Sequence, residues 1–201
     1  MKLIGIVGTN SAKSTNRQLL QYMQDHFADK AEIELIEIKE LPTFNKPANR
    51  ELPEIVQELV EKIEAADGVI IGTPEYDHSI PAVLMNALAW VSYGVYPMLN
   101  KPVMITGASY GTLGSSRAQL QLRQILNAPE LKATVLPDEF LLSHSLQAFG
   151  SDGNLNDIET SQKLDAIFDD FRLFVKMTQK LSNAKALLKK EAENFDWETL
   201  D

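Results

Sequence analysis

Short runs of apolar residues alternate along this chain with longer stretches in which apolar residues recur at helical spacing. Residues 2–7, 68–72 and 102–106 are near-continuous apolar runs, the pattern of strands covered on both faces. Residues 32–38 set Ile33, Leu35, Ile36 and Ile38 among glutamates, which predicts a strand nearer an edge, and residues 131–136 supply a fifth. Leu19, Leu20, Met23 and Phe27 mark a first helix. A second opens at Pro53 and carries Ile55, Val56, Leu59, Val60 and Ile63, a third covers 81–93 and a fourth 113–126. Strand and helix in alternation predict an α/β fold with a parallel, doubly wound sheet, because each crossover must run over one face of it. Right-handed crossovers leave few topologies; the expectation is five strands in the order 2-1-3-4-5 with helices on both faces.

After the fifth strand come Ser143-His144-Ser145, a turn-rich loop over 149–157, and a closing helix with Leu164, Ile167, Phe168, Phe171 and Val175 on one face. The last stretch has Ala184, Leu187 and Leu188 at helical spacing, then Phe195 and Trp197 among acids. It reads as a packed helix, a subunit arm or a frayed tail. The expectation is one domain over residues 1–180 and a helical extension over 181–201 that is not a second domain. A net charge of −9 argues against a nucleic-acid partner, which would need a basic face. With no Cys, thiolate nucleophiles, disulfides and iron–sulfur ligation are excluded. The first apolar run is too short for a signal peptide and none approaches the roughly 20 residues of a membrane span, so a cytoplasmic location without membrane attachment is expected.

In the order 2-1-3-4-5, the loops after strands one, three and four gather at one edge, and they are the three loops of unusual composition. The first, Gly8-Thr9-Asn10-Ser11-Ala12-Lys13-Ser14-Thr15-Asn16, fits neither common phosphate fingerprint. Its hydroxyl and amide groups suit a phosphate at a helix N-terminus. They suit a plain helix cap equally well. The loop after strand three, Gly72-Thr73-Pro74-Glu75-Tyr76-Asp77-His78-Ser79-Ile80-Pro81, brings two acids, a phenol and an imidazole to the end of a buried strand. Glu75 with Asp77 could form an acid/base pair, or the group could line a ligand slot. His26, His78 and His144 are scattered without carboxylates at ligand spacing, so no metal site is expected. The run Asp152-Gly153-Asn154-Leu155-Asn156 lacks the Gly and closing Glu of a calcium loop and reads as a turn. Trp90, Tyr93 and Tyr96 read as core or as a roof over a neighbouring subunit's site.

The segment from Gly72 to Trp90 resembles the signature of the NADPH-dependent FMN reductase family, T-P-E-Y-N-x-S-x-P-x-x-L-K-N-A-x-D-W. Lys101-Pro102 through Gly114 is similar to that family's K-P-x-x-x-x-G-A-S-x-G-x-x-G segment, and the first loop to its hydroxyl-rich phosphate loop. The resemblance implies a flavodoxin-like domain that binds FMN and oxidises NADPH or NADH, passing electrons to a small acceptor such as a quinone, an azo compound or free flavin. By position, Thr9, Ser11, Ser14, Thr15 and Asn16 are expected at the phosphate. Pro74, Glu75, Tyr76 and Asp77, with Ser109, Tyr110 and Gly111, are expected along the flavin ring. Tyr76 and Tyr110 would shape its open face, and no side chain is expected to act as a covalent or acid/base catalyst. Homodimers or homotetramers are the family's habit. This chain departs from the signature at Asp77, where the family has Asn, and at Met85 and Ala89, where it has Lys and Asp; many members also carry Arg at the position of Ser11. A flavodoxin-like electron carrier that binds FMN without oxidising a nicotinamide is the rival reading.

Overall fold

A computed structural model of the chain describes residues 1–193, with side chains through Leu187. The Leu188 side chain and the residues Phe195 and Trp197 lie outside the described residues. β1 (Lys2–Val7), β2 (Glu32–Glu37), β3 (Gly68–Gly72) and β4 (Pro102–Ala108) pair in parallel in the order β2-β1-β3-β4, with β5 (Thr134–Val135) on the far edge. That is the expected 2-1-3-4-5 order, and β2 is the edge strand that its alternating pattern implies. β3 and β4 are buried throughout, as their unbroken apolar sequences require.

Side chains leave each strand on alternate faces and so feed two cores. Ile4, Ile6, Val69, Ile71, Val103 and Ile105 pack beneath α2 (Glu54–Ala65), α3 (Ala82–Val91) and α4 (Ser116–Leu126). Leu3, Val7, Ile70 and Met104 pack beneath α1 (Thr15–His26) and α5 (Ile158–Glu193). Phe27, just past α1, stacks on Phe168 of α5 with ring centroids 3.8 Å apart. Asp157 accepts the Thr160 N–H at 2.9 Å, capping the start of α5, and the Thr160 hydroxyl, aided by that N–H, holds the Asp157 carboxyl below its ordinary pKa. α5 spans 36 residues, about 54 Å at 1.5 Å per residue, and continues unbroken past residue 180.

The fifth strand differs from its expected form over 131–136. It is split into β5 and a second piece, β6 (Phe140–Leu142), and both lie along β4. Pro102 and Val103 pair with β5, and Thr106 to Ala108 pair with β6. Between them stands Pro137, which has no N–H to give a ladder. α4 starts at Ser116 rather than Leu113, because Gly114 (φ 56°) and Ser115 (φ 67°) are left-handed and cannot belong to the helix. Gly114 is required there: a Cβ would lie 2.6 Å from the Leu141 carbonyl carbon.

Candidate functional site

The loops after β1, β3 and β4 converge at the carboxyl edge of the sheet around a cleft of about 350 Å³. Ten of the twelve site residues expected from sequence line it: Ser11, Ser14, Thr15 and Asn16 on one wall, Pro74, Glu75 and Tyr76 on the second, and Ser109, Tyr110 and Gly111 on the third. The other two do not. Thr9 is fully buried beneath the first wall, accepting the Ser11 N–H at 3.2 Å and lying 3.4 Å from the Tyr76 hydroxyl. Asp77 is exposed on a turn beyond the cleft.

Most side chains of the first wall are already committed within the protein. Ser14, in extended conformation, caps α1 by accepting the Arg17 N–H at 3.2 Å. Thr15 Oγ1 meets Ser145 Oγ at 2.8 Å. Asn16 is buried and its amide brackets Ala108, donating to the Ala108 carbonyl at 2.9 Å and accepting the Ala108 N–H at 2.8 Å. Arg17 donates to the Ser11 carbonyl at 2.6 Å and to Glu37 at 2.8 Å, and the Glu37 hydrogen bond raises the guanidinium pKa above its usual value. What remains for a ligand is the positive end of α1, where the first-turn N–H groups have no helical carbonyl, together with the hydroxyls along the loop. Both the cap and the anion-seat readings of this loop therefore describe the same residues.

The second wall is held from α4. The Glu75 carboxylate accepts the N–H groups of Arg117 at 3.0 Å and Ala118 at 3.3 Å, and the Arg117 guanidinium lies 3.5 Å away. It thus caps α4, whose own N-cap residue, Ser115, makes no side-chain cap bond. Tyr76 and Ser79 exchange backbone hydrogen bonds of 3.0 and 2.9 Å around Asp77 (φ 50°) and His78 (φ 62°). Positive φ at both central residues is the geometry of a type I′ turn. With Glu75 turned to α4 and Asp77 at the turn, the two carboxylates form no acid/base pair.

Ser109 Oγ accepts the Gly114 N–H at 2.9 Å, and the third wall is fastened from behind by the segment after β6. His144 N–H donates to the Gly111 carbonyl and Ser145 N–H to the Ser109 carbonyl, both at 2.9 Å. Lys13, the charged residue of the first loop, also lines the cleft; sequence reasoning missed Ala108, which lines it too, and Ser145, which braces two walls at once. The polar trio Ser143-His144-Ser145 at the end of an apolar run was the available signal. Trp90 is core: it is buried, its ring N–H donates to the Pro42 carbonyl at 2.7 Å, and Phe44 meets it edge-on. Among the described residues no group of three or more His, Asp or Glu is placed to hold a metal, and no helix is long and apolar enough to cross a membrane.

Residues 1–147 match the NADPH-dependent FMN reductase family. The chain belongs to that family. It is similar to a Vibrio ruber protein named NADH:(hydroxy)cinnamate reductase subunit CrdA, with 51% identity covering 99% of this chain and 98% of that protein. It is also 45% identical, over 90% of its length and all of its counterpart, to NADH-dependent flavin reductase subunit 2 of Lactobacillus johnsonii. Among solved structures, the flavoenzyme NAD(P)H:(acceptor) oxidoreductase FerB of Paracoccus denitrificans superposes with a TM-score of 0.77 at 29% identity, covering 89% of this chain and 97% of FerB. An FMN reductase of this family uses FMN and a nicotinamide, and the cleft suits that cofactor. It offers an anion seat at the N-terminus of α1, two half-exposed phenol rings at Tyr76 and Tyr110, and small residues at 108, 109 and 111 that let a flat ring approach the backbone.

Proposed function

We propose that this FMN reductase takes electrons from NADH or NADPH and delivers them to a small acceptor of the quinone, azo or free-flavin class through FMN held in the cleft. The observation that carries the reading is the joining of an anion seat and an aromatic, small-residue slot in one cleft. Bound FMN supplies the hydride chemistry. The chain supplies placement. The first turn of α1 with the hydroxyls of Ser11, Ser14 and Thr15 receives the phosphate, and Lys13 adds positive charge at the rim. Pro74 to Tyr76 and Ser109 to Gly111 hold the ring from two sides, and Tyr76 and Tyr110 leave its outer face open to nicotinamide and acceptor in turn. The commitment of Glu75 to α4 supports a site without a protein acid/base catalyst.

We further propose that the chain works as a subunit of a cytoplasmic dimer or tetramer. Beyond its buried face, α5 turns Leu173, Met177, Leu181 and Leu187 outward, an apolar stripe on the opposite side of the helix. A helix apolar on two faces calls for a second covering surface. The relatives from V. ruber and L. johnsonii are both named as subunits. Sedimentation of the wild type as a dimer or larger, and of Leu181→Lys as a monomer, is the expected pair of results.

The functional test is anaerobic mixing of FMN-loaded protein with each nicotinamide. Loss of the oxidised flavin absorbance with at least one of them, and its return on adding a quinone, is expected. A flavin left oxidised by excess NADH and NADPH would make the chain an electron carrier instead.

A further inference from the structure

α4 does more than cover the sheet. It grips the second wall at two points that flank the type I′ turn. On the near side, Glu75 accepts two N–H groups at the start of the helix. On the far side, one turn further along α4, Gln121 Oε1 accepts both the Ser79 hydroxyl at 2.7 Å and the Ile80 N–H at 2.9 Å. Gln121 does not line the cleft. Neither the resemblance to the family signature nor the apolar pattern singles it out.

The turn between these anchors needs holding. Type I′ turns favour Asn-Gly or Gly-Gly because both central residues take positive φ, and this chain places Asp77 and His78 there. Residues in that region persist when their surroundings over-determine them. Tyr76 is the first residue of the turn and its ring is part of the cleft wall, so a shift of the turn is a shift of the ring. From this arrangement we infer that Gln121 is a positioning residue for the flavin slot: acting as a double acceptor, it fixes Ser79 and Ile80 and thereby sets the place of Tyr76.

The inference rests on the cleft being the FMN site, and it makes a demand on chemistry rather than shape. Both contacts use the Gln121 oxygen as acceptor, so a carboxylate at this position satisfies them and an apolar side chain does not. Gln121→Glu and Gln121→Leu should therefore separate, with Gln124→Ala, an exposed neighbour on the same helix, as a reference. Two readouts are required. The first is exchange of the Ile80 amide proton in FMN-free protein, expected to be about tenfold faster or more in Gln121→Leu and near wild type in Gln121→Glu. The second is FMN affinity and the visible flavin spectrum. Gln121→Leu should weaken binding about tenfold and shift the spectrum, while Gln121→Glu stays within about twofold and keeps the wild-type band shape.

Unchanged Ile80 exchange in Gln121→Leu overturns the clamp whatever FMN does, because that readout needs no flavin. Faster exchange with unaltered FMN affinity and spectrum overturns the positioning role, and equal damage from Leu and Glu overturns the acceptor argument. If the wild type binds no FMN, the functional reading above fails while the exchange data still decide the clamp. Should Gln121→Leu not fold, Ser79→Ala, which removes only one of the two donors, carries the test with smaller shifts of the same sign.

Discussion

The loop after β1 and the loop after β3 face each other across one cleft, yet they are made firm in different ways. The first is stabilised from within and from the sheet. Ser14 caps its own helix, Thr9 supports Ser11, and Asn16 is bolted to both backbone groups of Ala108. It carries no residue at positive φ, and the anion seat proposed for it is made of N–H groups and hydroxyls. The second carries two non-glycine residues at positive φ and depends on α4 for both of its anchors. Binding a compact charge needs donors at fixed points, which a helix terminus provides without strain. Shaping a slot for a flat ring needs backbone turned edge-on, which here comes at the cost of a strained turn and outside support.

That contrast can be broken at either wall. The largest effect is expected from Gly107→Ala, because a Cβ there would lie 1.8 Å from Ser115 Oγ and 2.7 Å from the Thr73 carbonyl oxygen. A loss of about 3 kcal/mol or more in denaturant unfolding should accompany loss of FMN binding. Asn16→Ala leaves the buried N–H and carbonyl of Ala108 without partners and should cost about 2–3 kcal/mol, which tests the internal bracing of the first wall. Glu75→Ala removes a helix cap supplied from another loop and should cost about 1 kcal/mol, with a larger relative loss of FMN affinity than Asn16→Ala shows for equal stability lost. The smallest effect is a gain. His78→Gly relieves a left-handed residue and should stabilise the protein by about 0.5 kcal/mol, the relief being partly offset by the entropy of glycine. A destabilised His78→Gly would show that the turn is not strained.

Much of this architecture is legible in the sequence because strands buried on two faces must be apolar throughout, which sets β1, β3 and β4 apart from the alternating β2. The fifth strand was harder to read. Its two pieces are each too short to show a period, and Pro137 separates them. The cleft follows from the strand order, which carries three polar loops to one edge. Individual roles are less readable. Nothing local distinguishes Asn16, whose amide turns inward to β4, from Ser11 on the same loop. Nothing local tells that Glu75 points to a helix 42 residues on. Ser145 reaches Thr15 across 130 residues of chain, a pairing that no motif spacing records. The departure at Asp77 also gains a local reason, since Asp and Asn both tolerate the left-handed conformation that the turn imposes.

The most direct measurement is a comparison of FMN with riboflavin, which lacks only the phosphate, titrated against wild type and Ser14→Glu. If the N-terminus of α1 is the phosphate seat, wild type binds FMN at least about tenfold tighter than riboflavin, a difference of about 1.4 kcal/mol or more. Ser14→Glu should then abolish that preference while leaving riboflavin affinity within about twofold. Equal affinity of wild type for the two ligands, or an equal loss of both in Ser14→Glu, would contradict the placement of FMN in this cleft.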